Sequence, residues 1–174
     1  PQIADQIKPG LRIAITAGSR AIRNVGIITK AIVDFVKTRQ AEPFIVPAMG
    51  SHGGATAEGQ LEVLAGYGIT PDRMGCPIHS CMDAVLLGES ERGKPVFLDQ
   101  LAFESDGIIV SCRIKPHNAF RGRYESGICK MLAVGLGKQA GAESVHADGM
   151  GQMAVNLLAN AKVILAKAPV LFAI

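Results

Sequence analysis

The sequence predicts an α/β fold, and three observations carry that prediction. Compact apolar runs alternate with segments of helical periodicity through the first third of the chain, the pattern of strands joined by crossover helices. The run Gly107-Ile-Ile-Val-Ser-Cys112 is apolar almost without interruption, as a strand covered on both faces must be. A composition of 48% hydrophobic residues with 20 glycines suits a tightly turned globular domain. The architecture that follows is a Rossmann-like, mostly parallel sheet with flanking helices and a small hairpin insertion.

Residues 11–16 read as the first strand and residues 17–24 as a loop containing Gly18, Ser19 and Arg20. Residues 25–39 place Ile28, Ala31, Ile32, Phe35 and Val36 at helical spacing, with Asn24 expected as the N-cap. Residues 43–48 form the second strand, followed by the glycine-rich loop around His52. Thr56 opens a helix that Gly66 and Gly68 close near Tyr67. Residues 69–82 read mostly as loop, extended around Ile78. Residues 84–87 and 95–98 flank a polar turn over 88–94, which makes a β-hairpin. A helical turn over 101–104 precedes the buried strand 107–112, and a helix over 150–167 follows a glycine-punctuated stretch.

A length of 174 residues fits one domain with a substantial core. Residues 1–168 are assigned to it, and the apolar run 169–174 reads as the start of a strand leading into a missing C-terminal domain. The net charge of +3 is mild, the basic residues are scattered, and two tyrosines and six phenylalanines form no stacking platform, so nucleic acid is not an expected partner. No apolar run reaches the roughly 18–20 residues needed to cross a bilayer, so no membrane partner is expected either. Cys76, Cys81, Cys112 and Cys129 form no Cys-x-x-Cys pair and are expected as reduced thiols of a cytoplasmic protein.

Polar chemistry is scarce, which makes the histidines informative. Three of the four sit in small-residue surroundings: His52 in Met-Gly-Ser-His-Gly-Gly-Ala-Thr, His117 in Lys-Pro-His-Asn, and His146 in Glu-Ser-Val-His-Ala-Asp-Gly. Imidazole exchanges protons or binds transition metals near neutral pH. Arg20, His52 and His117 each follow a predicted strand; if those strands are parallel, all three gather where α/β sheets bind ligands. The glycines at 50, 53 and 54 would let backbone approach a ligand closely. Arg20 could grip a carboxylate or phosphate through its guanidinium fork. Lys130 lies in an apolar stretch, where it either snorkels outward or is buried and reactive with a lowered pKa. Gly135-Leu-Gly-Lys138 lacks the residues of a phosphate loop, no serine sits in a nucleophile elbow, and His79 lacks glycine framing.

In order, Ser19-Arg20, Gly50-Ser-His52, Lys115-Pro-His117, Ser126-Gly-x-x-Lys130 and Val145-His146 resemble the N-terminal domain of the lactate racemase family, whose members use a nickel pincer nucleotide. The resemblance runs from about residue 11 to 149; no single motif in it is specific, and the ordered set, with Lys130 and His146 sixteen residues apart, is considerably more so. It implies that Lys130 is joined to the cofactor through a thioamide and that His146 completes the nickel coordination. It further implies that His52 and His117 are an acid/base pair and that Arg20 holds the substrate carboxylate. The implied activity is racemisation or epimerisation of a 2-hydroxy acid by hydride abstraction and return, with the fragment inactive without its C-terminal domain. The chain departs from the family pattern at Ala17, where an acidic residue is common, and at Gly53, where arginine is common; these departures leave the identity of the 2-hydroxy acid open. Two other readings of the same residues are a non-catalytic nucleotide- or anion-binding module and a zinc hydrolase ligated by His52, His117 and His146.

Overall fold

The computed structural model describes residues 3–20 and 22–174. Its strands are β1 (Arg12–Ala17), β2 (Glu42–Pro47), β3 (Ala84–Glu89), β4 (Pro95–Asp99), β5 (Gly107–Val110) and β6 (Val170–Ala173). Its α-helices are α1 (Val25–Thr38), α2 (Ala57–Gly66), α3 (Pro71–Met74), α4 (Gln100–Phe103), α5 (Ile128–Lys130), α6 (Lys138–His146) and α7 (Met153–Lys167). Strands β2, β1, β5 and β6 form, in that order, one sheet in which each neighbouring pair is parallel. β3 and β4 make the separate antiparallel hairpin. The α/β architecture with a hairpin insertion is therefore as the sequence predicts, and the apolar run at 169–174 supplies the sheet's fourth strand.

Successive side chains of a strand point to opposite faces, and both faces of this sheet are covered. Ile13, Ile15, Ile45 and Ile109 pack into one core with Val33 and Val36 of α1 and Leu64 of α2. Ala14, Phe44, Val46, Ile108 and Val110 pack into a second core with Val96 and Leu98 of the hairpin and Ile164 of α7. At the carboxyl edge Thr16 ties β1 to β5: its Oγ accepts from the Ser111 amide at 2.9 Å and lies 3.3 Å from the Ser111 carbonyl. That pair sets the starting point of two loops, one leading to Arg20 and the other to His117.

The start of α1 differs from expectation. Asn24 has φ 62° and makes no side-chain capping bond. It occupies the left-handed bend before the helix, which asparagine tolerates better than most residues, instead of accepting from the first turn. Thr56 does cap α2, accepting from the Gly59 amide at 3.0 Å. The helix ends in a Schellman arrangement, with Gly68 N–H on the Ala65 carbonyl at 2.8 Å and Ile69 N–H on Leu64 at 3.0 Å. Within 69–82 the extended stretch is the bridge Ile45–Ile78, and α3 is an addition signalled by Thr70-Pro71, a cap followed by proline at the first helical position.

The largest departure is between residues 128 and 146. The glycine-punctuated stretch is almost continuously helical: α5 leads into a π-helical segment, Met131–Leu136, and then into α6. Its glycines weaken helix propensity but permit contact. A Cβ on Gly135 would lie 2.8 Å from the Ala48 carbonyl, and one on Gly137 would lie 2.3 Å from that of Ala133. Tertiary packing, not propensity, forms this segment.

Candidate active site

The cavity at the carboxyl ends of β1, β2 and β5 encloses about 380 Å³, within the range of small-ligand pockets. Arg20, His52, His117, Lys130 and His146 all line it. The first three arrive on the loops that follow β1, β2 and β5, while Lys130 ends α5 and His146 ends α6. The structure thus brings together Arg20, His52, His117, Lys130 and His146, whereas the His79 ring packs at a tilt against Phe44, 5.5 Å between centroids.

Each imidazole has a distinct hydrogen-bonding state. His52 Nδ1 lies 2.5 Å from Ser19 Oγ, and Tyr67 Oη donates to the Ser19 carbonyl at 2.7 Å. Commitment of Nδ1 to Ser19 leaves Nε2 for chemistry, as lone pair or as N–H according to which way the hydroxyl points. His117 differs, because the Ala119 amide donates to its Nδ1 at 3.1 Å, so the neutral ring carries its proton on Nε2. Stacking on Phe120 at 4.3 Å holds that ring. His146 is the reverse case: Nδ1 lies 2.6 Å from the Ala142 carbonyl, which can only accept, so Nε2 keeps its lone pair. An imidazole with one nitrogen pinned to a backbone carbonyl is the usual state of a metal-binding histidine.

The loop bearing His117 has no regular structure and is held by side chains. Glu125 accepts from the His117 amide at 2.8 Å and the Gly122 amide at 3.0 Å. These two bonds lower the carboxyl's pKa. Ser126 Oγ accepts from the Lys115 amide at 2.7 Å and donates to its carbonyl at 2.6 Å. Nothing in the local sequence marks Ser19, Glu125 or Ser126 for these duties, because Ser19 bonds a ring nitrogen and the other two bond backbone groups that only the folded loops bring near.

The glycines after His52 have a reason other than ligand approach. Gly53, at φ +66°, faces α2: a Cβ there would lie 2.6 Å from the Gln60 amide nitrogen. The His52 loop lies flush on the first turns of that helix. A bulky arginine at position 53 would have to enter that contact, so this chain's departure from the family pattern coincides with a tightly packed loop.

Electrostatics favour neutral imidazoles at positions 52 and 117. Partial burial in the cavity is the main cause lowering the pKa of His52, with Arg20 and then Lys130 adding to it. Burial likewise lowers His117, helped by Lys130 and Lys115 and opposed by Glu125. Lys130 is lowered by burial, then by Arg20 and Lys115, which moves its amine toward the nucleophilic form. Burial raises the thiols of Cys112 and Cys129, so both stay protonated.

A linkage prediction follows from the two histidines. Their folded pKa values lie below the unfolded value near 6.5, so the unfolded chain binds more protons as pH falls through that value. Their contribution to stability is present above about pH 6.5 and is lost on acidification toward the folded values. The Glu125 contribution is lost in a lower window, below the ordinary carboxyl range, and does not overlap. Thermal unfolding between pH 7.5 and 5.5 is expected to show a shallower pH slope in the double variant His52→Gln/His117→Gln than in the wild type; equal slopes would contradict the assignment.

Among the described residues, no three His, Cys, Asp or Glu side chains converge as a metal-binding group. His52, His117 and His146 share the cavity without forming a three-imidazole centre, which removes the geometric basis for a zinc hydrolase.

The family model described as the lactate racemase N-terminal domain matches residues 2–155. The chain belongs to that family. As a member of the lactate racemase N-terminal domain family it also has a structural relative, the lactate racemase apoprotein from Thermoanaerobacterium thermosaccharolyticum, at TM-score 0.67 and 17% identity. At that identity the likeness speaks for the fold. The match covers 98% of this chain and 43% of the other, so this chain spans less than half the length of that racemase. No curated protein matches the chain in sequence. No helix among the described residues is long and apolar enough to cross a membrane.

Proposed function

We propose that this lactate racemase-family domain is the cofactor-holding, proton-handling half of a racemase or epimerase for 2-hydroxy acids. The observation that carries the proposal is the convergence of Arg20, His52, His117, Lys130 and His146, from five separate segments, on one cavity at the carboxyl edge of a parallel sheet. The residues fit a nickel pincer nucleotide. Lys130 offers an amine of lowered proton affinity for a thioamide link, and His146 offers a single Nε2 lone pair for the metal. The chemistry such a group supplies when bound is reversible acceptance of hydride from the substrate's carbinol carbon.

The chain's own residues do the remaining work. Arg20 holds the carboxylate by a two-point ion pair, which fixes the carbinol carbon relative to the histidines. His52 takes the hydroxyl proton at Nε2 as hydride leaves the same carbon, giving a planar 2-keto acid. His117, with its proton on Nε2, donates a hydrogen bond to the substrate oxygen. For the opposite enantiomer the two histidines exchange roles. His117 must then release the Ala119 amide, because Nδ1 carries a proton both in the base-competent tautomer and in the imidazolium. A second domain supplies the other wall of the cavity and excludes water, so this domain alone is inactive.

The test uses the full-length protein produced with the cofactor-making enzymes and a panel of single-enantiomer 2-hydroxy acids deuterated at the carbinol carbon. The opposite enantiomer is expected to appear with deuterium retained. Loss of the label to solvent, or no inversion of any acid in the panel, would overturn the proposal.

A further inference from the structure

The His52 loop and the helix that ends in His146 are joined by a buried polar relay that the proposed chemistry does not itself use. Lys138 is fully buried and has φ +55°, a conformation that costs an ordinary residue energy. Its ammonium has three donors, and three acceptors meet it. The Pro47 carbonyl lies at 2.8 Å, Gln60 Oε1 at 3.4 Å and Asp99 Oδ2 at 2.8 Å, the last as an ion pair without hydrogen-bond alignment. Asp99, also fully buried, spends its other oxygen on the Ala102 amide at 2.8 Å. Gln60, again fully buried, is turned by Lys138 so that Nε2 faces the His52 loop; it donates to the Gly50 carbonyl at 2.8 Å and the His52 carbonyl at 3.3 Å.

Burying a charge costs desolvation, and one attested use of a buried ion pair is to fix one arrangement among several. Here the arrangement fixed is functional in layout. Lys138 is the first residue of α6 and His146 the last, so the same helix is anchored at one end by the relay and lines the cavity at the other. We infer that Gln60, held by the Lys138–Asp99 ion pair, is a positioning residue that fixes the backbone of the His52 loop relative to α6. The inference concerns the backbone of the free protein and does not require the racemase reading. That reading adds only that the fixed distance matters for proton transfer.

The experiment is hydrogen exchange and NMR on this chain and on two variants, Gln60→Glu, which keeps shape and the acceptor for Lys138 but removes both donors, and Gln60→Met. The expected result is faster exchange at the loop amides of His52 and Ala55, by about tenfold or more, with the sheet amides of Ile15 and Ile109 unchanged. The His52 ring resonances are expected to shift as well. In the wild-type protein the Gln60 side-chain amide protons should themselves exchange slowly, a measurement that needs no variant to fold. In the loaded full-length enzyme, Gln60→Glu is expected to lower kcat with KM little changed. A rapidly exchanging Gln60 amide in the wild type overturns the inference. So does loop exchange that is unchanged in the variants, or that rises only in step with the whole sheet. Loop effects present without any racemase activity would leave the inference standing and count against the proposed function alone.

Discussion

Replacing His52 with glutamine in the loaded full-length protein is expected to lower racemisation by about 10²–10⁴-fold in both directions, the usual worth of a positioned proton-transfer group. Glutamine keeps the size and a hydrogen-bonding tip but cannot accept a proton near neutral pH. Both directions fall together because each enantiomer is made from the other through the same keto intermediate. KM should change much less, since Arg20 still holds the carboxylate. Ser19→Ala should give a smaller loss of the same kind: it removes the 2.5 Å partner that orients Nδ1 while leaving the imidazole in place. Steady-state rates from each pure enantiomer check both variants, and a His52→Gln enzyme within a few-fold of wild type would remove His52 from the chemistry.

Lys138→Met is expected to destabilise the domain by about 3–5 kcal/mol, the cost of stranding the other member of a buried ion pair. Asp99 is fully enclosed, so its carboxylate would face no water once the ammonium is gone, and the Pro47 carbonyl and Gln60 Oε1 would lose the same donor. The double variant Asp99→Leu/Lys138→Met should lose less than the single one, because an apolar pair leaves no uncompensated charge. Denaturant unfolding measures both. A single variant as stable as wild type, or a double variant worse than the single, would show that the pair is not the closed unit the geometry describes.

Much of the fold was legible because it rests on local patterns. The apolar runs of β1, β2 and β5 announce strands buried on both faces, and Arg20, His52 and His117 follow them at the edge where parallel sheets bind ligands. The segment from 128 to 146 was harder, since its glycines argue locally against a helix. They are explained only by close contacts in the fold, the Ala48 carbonyl just after β2 against Gly135 and the Ala133 carbonyl of the preceding turn against Gly137. Asn24 looked like a cap by residue type, yet its backbone lies in the left-handed region, where its side chain meets no first-turn amide. The sequence around Gly135-Leu-Gly-Lys138 lacks the residues of a phosphate loop, and its lysine gave no sign of its partners. Asp99, Gln60 and Pro47 lie far away in sequence, and a lysine after glycine reads as a surface charge. Nothing in the sequence pointed to the partners of Ser19 and Glu125, for the same reason: serine and glutamate gain meaning only from the ring nitrogen or backbone amide they meet.

On the proposed function, Lys130 and His146 together hold a nickel pincer nucleotide in the cavity shared with His52 and His117. Mass spectrometry of full-length protein produced with the cofactor-making enzymes, with peptide-level fragmentation and a nickel measurement on the same sample, tests it most directly. An adduct on Lys130 and bound nickel are expected, with nickel lost but the adduct kept in His146→Ala. An unmodified Lys130 in protein that retains no nickel would contradict it.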